Sequence, residues 1–154
     1  MNRDLQARAA NTAAIRDRAA AEMHAMGIEP AFVDQLVETF YGRVAAHPDL
    51  GPVFDARLSG RWPEHMTRMK SFWNSIAFKT GAYGGKPVQA HLGIPNMEPD
   101  LFPKWLELFS DTLNELAPTR EAMAWFMATA ERIARSLTLS LFYNPAMDDP
   151  AART

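Results

Sequence analysis

Apolar residues recur every three or four positions along four long stretches of the chain, which is the spacing of one buried face of an α-helix. These stretches are 30–46, with Phe32, Val33, Leu36, Val37, Phe40, Tyr41 and Val44; 63–80, which Gly81 ends, with His65, Met66, Met69, Phe72, Trp73, Ile76 and Ala77; 99–116, with Leu101, Phe102, Trp105, Leu108, Phe109, Leu113 and Leu116; and 119–143, with Met123, Phe126, Met127, Ala130, Ile133, Ala134, Leu137 and Leu141. No stretch alternates apolar and polar residues as a strand does, and no Asn-Gly or Asp-Gly hairpin turn occurs. The pattern therefore predicts an all-α fold.

Weaker patterns lie between the long stretches. Residues 4–26 are rich in alanine and arginine and predict a helical leader, which Gly27 ends. A tight corner is expected over 50–54, which contain a Gly-Pro pair. The glycines and the proline of 84–87 leave room for only one short turn, and this turn contains His91.

Length and composition indicate one globular domain. The chain has 154 residues, of which 47% are hydrophobic and 22% charged, as is usual for a protein with a single core. We divide it into a helical leader at 1–28, a domain at 29–145 and a flexible tail at 146–154. The net charge of −2 offers no broad basic surface for nucleic acid or an anionic membrane. No apolar run reaches the ~20 residues of a membrane span, and we expect a cytoplasmic monomer, with a weak dimer as the alternative.

The absence of cysteine removes several kinds of chemistry together. Disulfides, thiolate nucleophiles, iron–sulfur clusters and zinc–thiolate sites are all excluded, so a metal must be bound by histidine, carboxylate or methionine. Four histidines are present. We expect ordinary structural roles for His24, in the leader, and for His47, at a helix end where a cation meets the helix dipole favourably.

His65 and His91 are the candidate ligands. The first lies on the apolar face of a long helix and the second in the short segment after the glycines. Imidazole nitrogen is a common protein ligand of haem iron, and the chain has enough aromatic rings to surround a porphyrin. A histidine on an apolar face is nevertheless more often a hydrogen-bonded core residue, and the rings could equally pack the core. Composition and spacing leave both interpretations open.

Several short motifs, taken in order, resemble a known family. They are Phe40-Tyr41, the run Asp49-Leu50-Gly51-Pro52-Val53-Phe54, Glu64-His65, Phe72-Trp73, Gly81 and Tyr83 leading into Ala90-His91-Leu92 and Pro95, and Trp105-Leu106-Glu107-Leu108-Phe109. Together they resemble the group III truncated haemoglobins, from about Phe32 to Phe142. The resemblance implies a truncated globin-like helical sandwich, built from the B, E, G and H helices with a short F segment, and haem b as cofactor.

The resemblance also implies a role for each matching residue. His91 corresponds to the proximal histidine that binds the iron, and Phe54, Met69 and Trp73 are expected to contact the haem. Tyr41, His65 and Trp105 match the polar residues of the distal side. Arg68 is the first candidate partner of a haem propionate, ahead of Lys79, Tyr83 and Lys86. Distal donors would favour bound dioxygen by hydrogen bonding in a low dielectric. The leader is longer than a truncated globin needs.

The implied function is binding of dioxygen and other diatomic gases. Peroxide or nitric-oxide redox chemistry would extend it if an external reductase, whose identity is unknown, supplied electrons. One alternative is a haem-free globin-like sensor or interaction module, for which His91 would be dispensable. Another is a dedicated peroxidase or nitric oxide dioxygenase. The haem-free alternative has a cost, because burying an unsatisfied donor destabilises a fold by ~1–3 kcal/mol.

Overall fold

The computed structural model describes residues 2–143, and its regular structure is entirely helical. Over these residues the helices are α1 (Asn2–Ala25), α2 (Pro30–Ala46), α3 (Leu50–Leu58), α4 (Trp62–Phe78), α5 (Pro87–His91), α6 (Leu101–Leu116) and α7 (Arg120–Phe142). The all-α prediction is confirmed. The predicted tail, 146–154, lies outside the described residues. Within 2–143, no helix is both long and apolar enough to cross a membrane.

The helices form two layers. α2 packs against α4 in one layer and α6 against α7 in the other, and the layers meet chiefly where α2 crosses α6. The short α5 packs on α7, while α1 packs on α4. Prolines at or next to the first position of α2, α4 and α5 fit there because the first backbone N–H groups of a helix need no intrahelical acceptor.

Four buried aromatic rings form the centre of the core between the layers. Trp73 stacks on Phe109 with ring centroids 5.3 Å apart, and Phe40 meets Phe109 edge-on at 5.0 Å. Phe126 lies 5.5 Å from Trp73. Because the rings come from α2, α4, α6 and α7, their packing fixes the relative positions of all four long helices.

The expected corner over 50–54 is in fact the first part of a helix, α3. His47 makes this possible, because its Nδ1 accepts hydrogen bonds from the backbone N–H groups of Asp49 and Leu50, both at 3.1 Å. The glycine at position 51 allows the start of α3 to pack closely on the end of α2, since a Cβ there would lie 2.6 Å from the carbonyl oxygen of Ala45. Pro52 is tolerated within the first turn. An Nδ1 that accepts hydrogen bonds carries no proton, so His47 holds this turn as an acceptor and not as the expected cation.

The helical leader is confirmed as a single long helix, α1. Its residues 2–18 are exposed, whereas Ala19 and Met23 are buried near its C-terminal end. Gly27 ends it with a φ of +83°. Thr119 links this end to the last helix, because its hydroxyl donates to the carbonyl of Met26 and accepts from the N–H of Ala122. Thr119 is thus the N-cap of α7.

Candidate functional site

A cavity of about 490 Å³ lies beside the aromatic core. This volume is within the range of sites for small molecules and cofactors, about 300–1,000 Å³. Of the eleven residues that the sequence singles out for the haem site, these nine line the cavity: Tyr41, Phe54, His65, Arg68, Met69, Trp73, Tyr83, His91 and Trp105. Lys86 also lines it, whereas Lys79 does not and instead ends α4.

His91 is the last residue of α5, and its ring is fixed by the backbone of the same helix. Nδ1 lies 2.6 Å from the carbonyl oxygen of Pro87, so this nitrogen donates its proton there. The lone pair is then on Nε2, which is the nitrogen available to a metal. A backbone carbonyl commonly fixes the tautomer and orientation of a metal-binding histidine in this way. Pro87 supplies the acceptor that the sequence alone does not identify.

His65, on α4, turns a polar atom without a partner into the protein interior. Its Nε2 is buried and has no hydrogen-bond partner among the described residues. Burial lowers the pKa of His65 to about 4, and the nearby positive charge of Arg68 adds to the shift. The ring is therefore neutral at pH 7 and can either donate or accept one hydrogen bond through Nε2. A buried polar atom of this kind calls for a ligand or water.

Tyr41 and Trp105 extend the polar cluster around His65. The Tyr41 ring meets the His65 ring edge-on with centroids 4.8 Å apart. Burial raises the pKa of the Tyr41 hydroxyl far above its usual value, while a hydrogen bond with Trp105 opposes this shift. Tyr41 therefore keeps its proton at every physiological pH. Trp105 stacks on Phe109 at 5.4 Å, so the buried core holds its indole in place.

Apolar side chains form much of the remaining wall, and charged side chains complete it. Val53, Leu58, Ile94, Met97, Leu101, Phe102, Ile133 and Leu137 line the cavity. The sequence did not single out those on helices, because their spacing is equally that of an ordinary core, whereas Ile94 and Met97 lie between α5 and α6 and belong to no helical pattern. Arg57, Arg61 and Glu64 also line it and were missed for a similar reason, since charged residues on a helix usually face solvent.

Tyr83 reaches the cavity from the segment 79–86, which joins α4 to α5. Its ring packs edge-on against Phe72 at 5.1 Å, and its backbone N–H donates to the hydroxyl of Ser75 at 3.0 Å. The Tyr83 ring lies over Gly85, two residues further on, where a Cβ would come within 2.3 Å of the Tyr83 hydroxyl oxygen and force the ring to shift. This close approach gives a role to one of the paired glycines.

The donor set of the cavity fits a haem. It offers one imidazole with a free Nε2, an apolar wall wide enough for a flat macrocycle, and Arg57, Arg61, Arg68 and Lys86 to meet anionic carboxylates. Within residues 2–143 no group of three or more histidine, aspartate or glutamate side chains could hold a bare metal ion. An iron whose other ligands come from a porphyrin needs only the single imidazole.

Comparison with known proteins leads to the family that the sequence motifs resemble. No family model matches the chain. The group 3 truncated hemoglobin ctb of Campylobacter jejuni is 34% identical over 85 residues, which cover 53% of this chain and 67% of that protein. The crystal structure of a group III truncated hemoglobin from Campylobacter jejuni matches with a TM-score of 0.70 and 29% identity, covering 75% of this chain and 93% of the other.

The two-layered helical sandwich beside a histidine-lined cavity defines a globin of the truncated type. With a relative of this identity and coverage, the chain belongs to the group III truncated haemoglobins. Membership implies a haem cofactor and explains why the chemistry of the cavity rests on imidazole, phenol and indole groups and not on a cluster of carboxylates.

Proposed function

We propose that the chain binds haem b through His91 Nε2 and uses it to bind dioxygen and other diatomic gases reversibly. The observation that carries the proposal is the pairing of two features in one cavity. One is an imidazole oriented by the Pro87 carbonyl, and the other is a polar cluster with an unsatisfied nitrogen at its centre, His65 Nε2. A haem bound there supplies an iron that takes up a diatomic gas.

The residues of the cavity have separate tasks in this proposal. His91 holds the cofactor, and its proton stays on Nδ1 in the hydrogen bond to Pro87. Phe54, Met69 and Trp73 contact the apolar macrocycle, while Arg68 pairs with a propionate, supported by Tyr83 and Lys86. The apolar wall excludes water from the site and strengthens each electrostatic interaction inside it.

Three donors can act on a bound gas. Tyr41 offers a hydroxyl proton, Trp105 an indole N–H and His65 its Nε2 proton in the tautomer that carries one there. A ligand that gains partial negative charge on binding accepts these hydrogen bonds more strongly than a neutral one, because a hydrogen bond to a charged group contributes about 1.5–3 kcal/mol and one between neutral groups about 0.5–1.5 kcal/mol. The cluster therefore slows the escape of dioxygen relative to carbon monoxide, which gains less charge.

Replacement of the Tyr41 hydroxyl tests the proposed distal role. Tyr41→Phe keeps the buried ring and removes the donor, so we expect haem binding to persist and dioxygen dissociation to become about 10- to 100-fold faster. Tyr143→Phe is the matched control, because the Tyr143 side chain is exposed. Stopped-flow measurement of dioxygen release compares the three proteins. Equal rates for all three would contradict the distal role.

The finer activities remain predictions. Peroxide or nitric-oxide chemistry would use the same three donors and needs an unidentified external reductase, so turnover with a reductant is the measurement that separates an enzyme from a carrier. A haem-free sensor would keep the fold but would have no use for the buried, unsatisfied His65 Nε2. A cytoplasmic location and a monomeric state also stay predictions.

A further inference from the structure

The exposed part of helix α1 contacts the segment that follows α4 through the side chain of Arg16. Although residues 2–18 are exposed, the Arg16 guanidinium donates two hydrogen bonds to the segment that follows α4. Nε donates to the carbonyl of Lys79 at 3.3 Å, and Nη2 donates to the carbonyl of Thr80 at 3.0 Å. A residue in the predicted leader thus contacts the segment that carries Tyr83.

An arginine suits this position because of how α4 ends. The last carbonyls of a helix have no intrahelical donor and form the negative end of the helix dipole. Lys79, the C-cap of α4, is left-handed with a φ of 55°, and Gly81 follows with a φ of 71°. A Cβ at Gly81 would lie 3.9 Å from Arg16 Nη2, so the guanidinium lies directly beside this turn. Its fork-shaped group can bind both carbonyls together.

The turn is connected to the cavity through hydroxyl groups. The Thr80 hydroxyl lies 3.0 Å from the hydroxyl of Ser75, which accepts the N–H of Tyr83 at 3.0 Å. The Thr80 hydroxyl also accepts the N–H of Ala82 at 3.3 Å. The ring of Tyr83 then lines the cavity. Fixing the backbone at Thr80 therefore restricts the backbone that places Tyr83.

We infer that Arg16 is a positioning residue for the haem site. By holding the carbonyls of Lys79 and Thr80, it keeps segment 79–86 closed over the cavity and slows the loss of haem. The inference rests on the proposed function, since it assumes that the cavity holds haem. It assigns α1 a function in cofactor retention, although no residue of α1 lines the cavity.

The test measures the rate at which each holoprotein transfers haem to an excess of an apo-globin acceptor. We expect Arg16→Ala to lose haem about three- to tenfold faster than the wild type, as the loss of two partly exposed hydrogen bonds would produce. Arg16→Lys keeps the charge and part of the donor capacity, so its rate should fall between the two. Arg18→Ala, a change at an exposed arginine on the same helix, is the matched control and should leave the rate unchanged.

Amide hydrogen exchange supplies a readout that general destabilisation would not reproduce. In Arg16→Ala, the amides of Ala82 and Tyr83 should exchange faster, whereas those of the core residues Phe40 and Phe126 should not. Equal rates of haem loss from the wild type and Arg16→Ala would overturn the inference and leave the proposed function intact. Faster amide exchange throughout the core of Arg16→Ala would have the same meaning. A wild-type protein that takes up no haem contradicts the proposed function itself, while the exchange experiment on the same protein still shows whether Arg16 orders the segment.

Discussion

At the scale of single residues, the two histidines of the cavity differ in their hydrogen bonding. His91 has one nitrogen satisfied by Pro87 and the other free to bind a metal. His65 has a buried nitrogen with no partner in residues 2–143. The sequence identifies both histidines as candidates from their positions. It cannot show the Pro87 contact, because that bond depends on the rotation of the ring within one helical turn.

The neutral state of His65 makes a prediction about pH. Its pKa is lowered from 6.5 to about 4 in the folded protein. Between these pH values the unfolded chain binds a proton that the folded protein does not, so stability falls as the pH decreases through this window. The loss from this one group is about 1–2 kcal/mol, once the shift is discounted for the remaining solvent contact of the ring.

Urea unfolding of the haem-free protein at a series of pH values measures this loss. The control is His65→Leu, which has no titrating group at this position. We expect the free energy of unfolding of the wild type to decrease more steeply than that of the variant between pH 6.5 and pH 4. Parallel curves for the two proteins would contradict the lowered pKa of His65.

Gly85 shows how a missing side chain shapes the site. In Gly85→Ala the new Cβ would lie 2.3 Å from the Tyr83 hydroxyl oxygen, so the ring must leave its place on the cavity wall. Gly84→Ala is a close control, because a Cβ at that position meets no atom within 4 Å. We expect the first variant to lose haem about three- to tenfold faster and the second to behave as the wild type.

A double variant shows whether the effect passes through Tyr83. In a Tyr83→Ala background, the change Gly85→Ala should accelerate haem loss no further, because the ring that it displaces is gone. Additive effects of the two substitutions, measured in the same transfer assay, would mean that Gly85 acts on the site by another route.

At the scale of helices, the contribution of His47 is confined to α3. Its Nδ1 caps the first turn of this helix by accepting two backbone N–H groups. α3 carries Leu50, Val53 and Phe54 to the cavity wall. The side chain therefore supports the site without touching it.

Substitution of His47 tests this capping role. We expect His47→Ala to lower the free energy of unfolding by about 1 kcal/mol, the usual effect of losing a side-chain cap. His47→Asn keeps a short polar acceptor and should recover most of the loss. Denaturant unfolding at pH 7 compares the three proteins. If asparagine and alanine were equally destabilising, His47 would act through packing and not as an acceptor.

The helices differ in how far the sequence determines them. The four long helices α2, α4, α6 and α7 follow directly from apolar spacing, because each buries one continuous face. α3 was expected only as a corner, since its Gly-Pro pair resembles a turn and the capping atoms of His47 belong to a side chain. The helical leader was predicted, but its contact through Arg16 joins residues more than 60 positions apart and leaves no local pattern.

At the scale of the whole molecule, one aromatic core positions both layers and the cavity. Trp73 and Trp105 both stack on Phe109, and both also line the cavity. The residues that stabilise the fold and those that form the site are therefore in direct contact. The motifs could be used to predict site residues because their order and separation reflect a helical sandwich that brings the motifs together. The charged lining at Arg57 and Arg61 became evident only from the structure.

The central claim is that His91 holds haem in this cavity, and the absorption spectrum of the ferrous, deoxygenated protein tests it most directly. The wild type reconstituted with haem should show a strong Soret band and the visible bands of histidine-ligated iron. His91→Ala should lose the cofactor on gel filtration, and His24→Ala, a change at an exposed histidine, should keep it with an unchanged spectrum. A wild-type protein without a Soret band, or a His91→Ala protein with the wild-type spectrum, would contradict the claim.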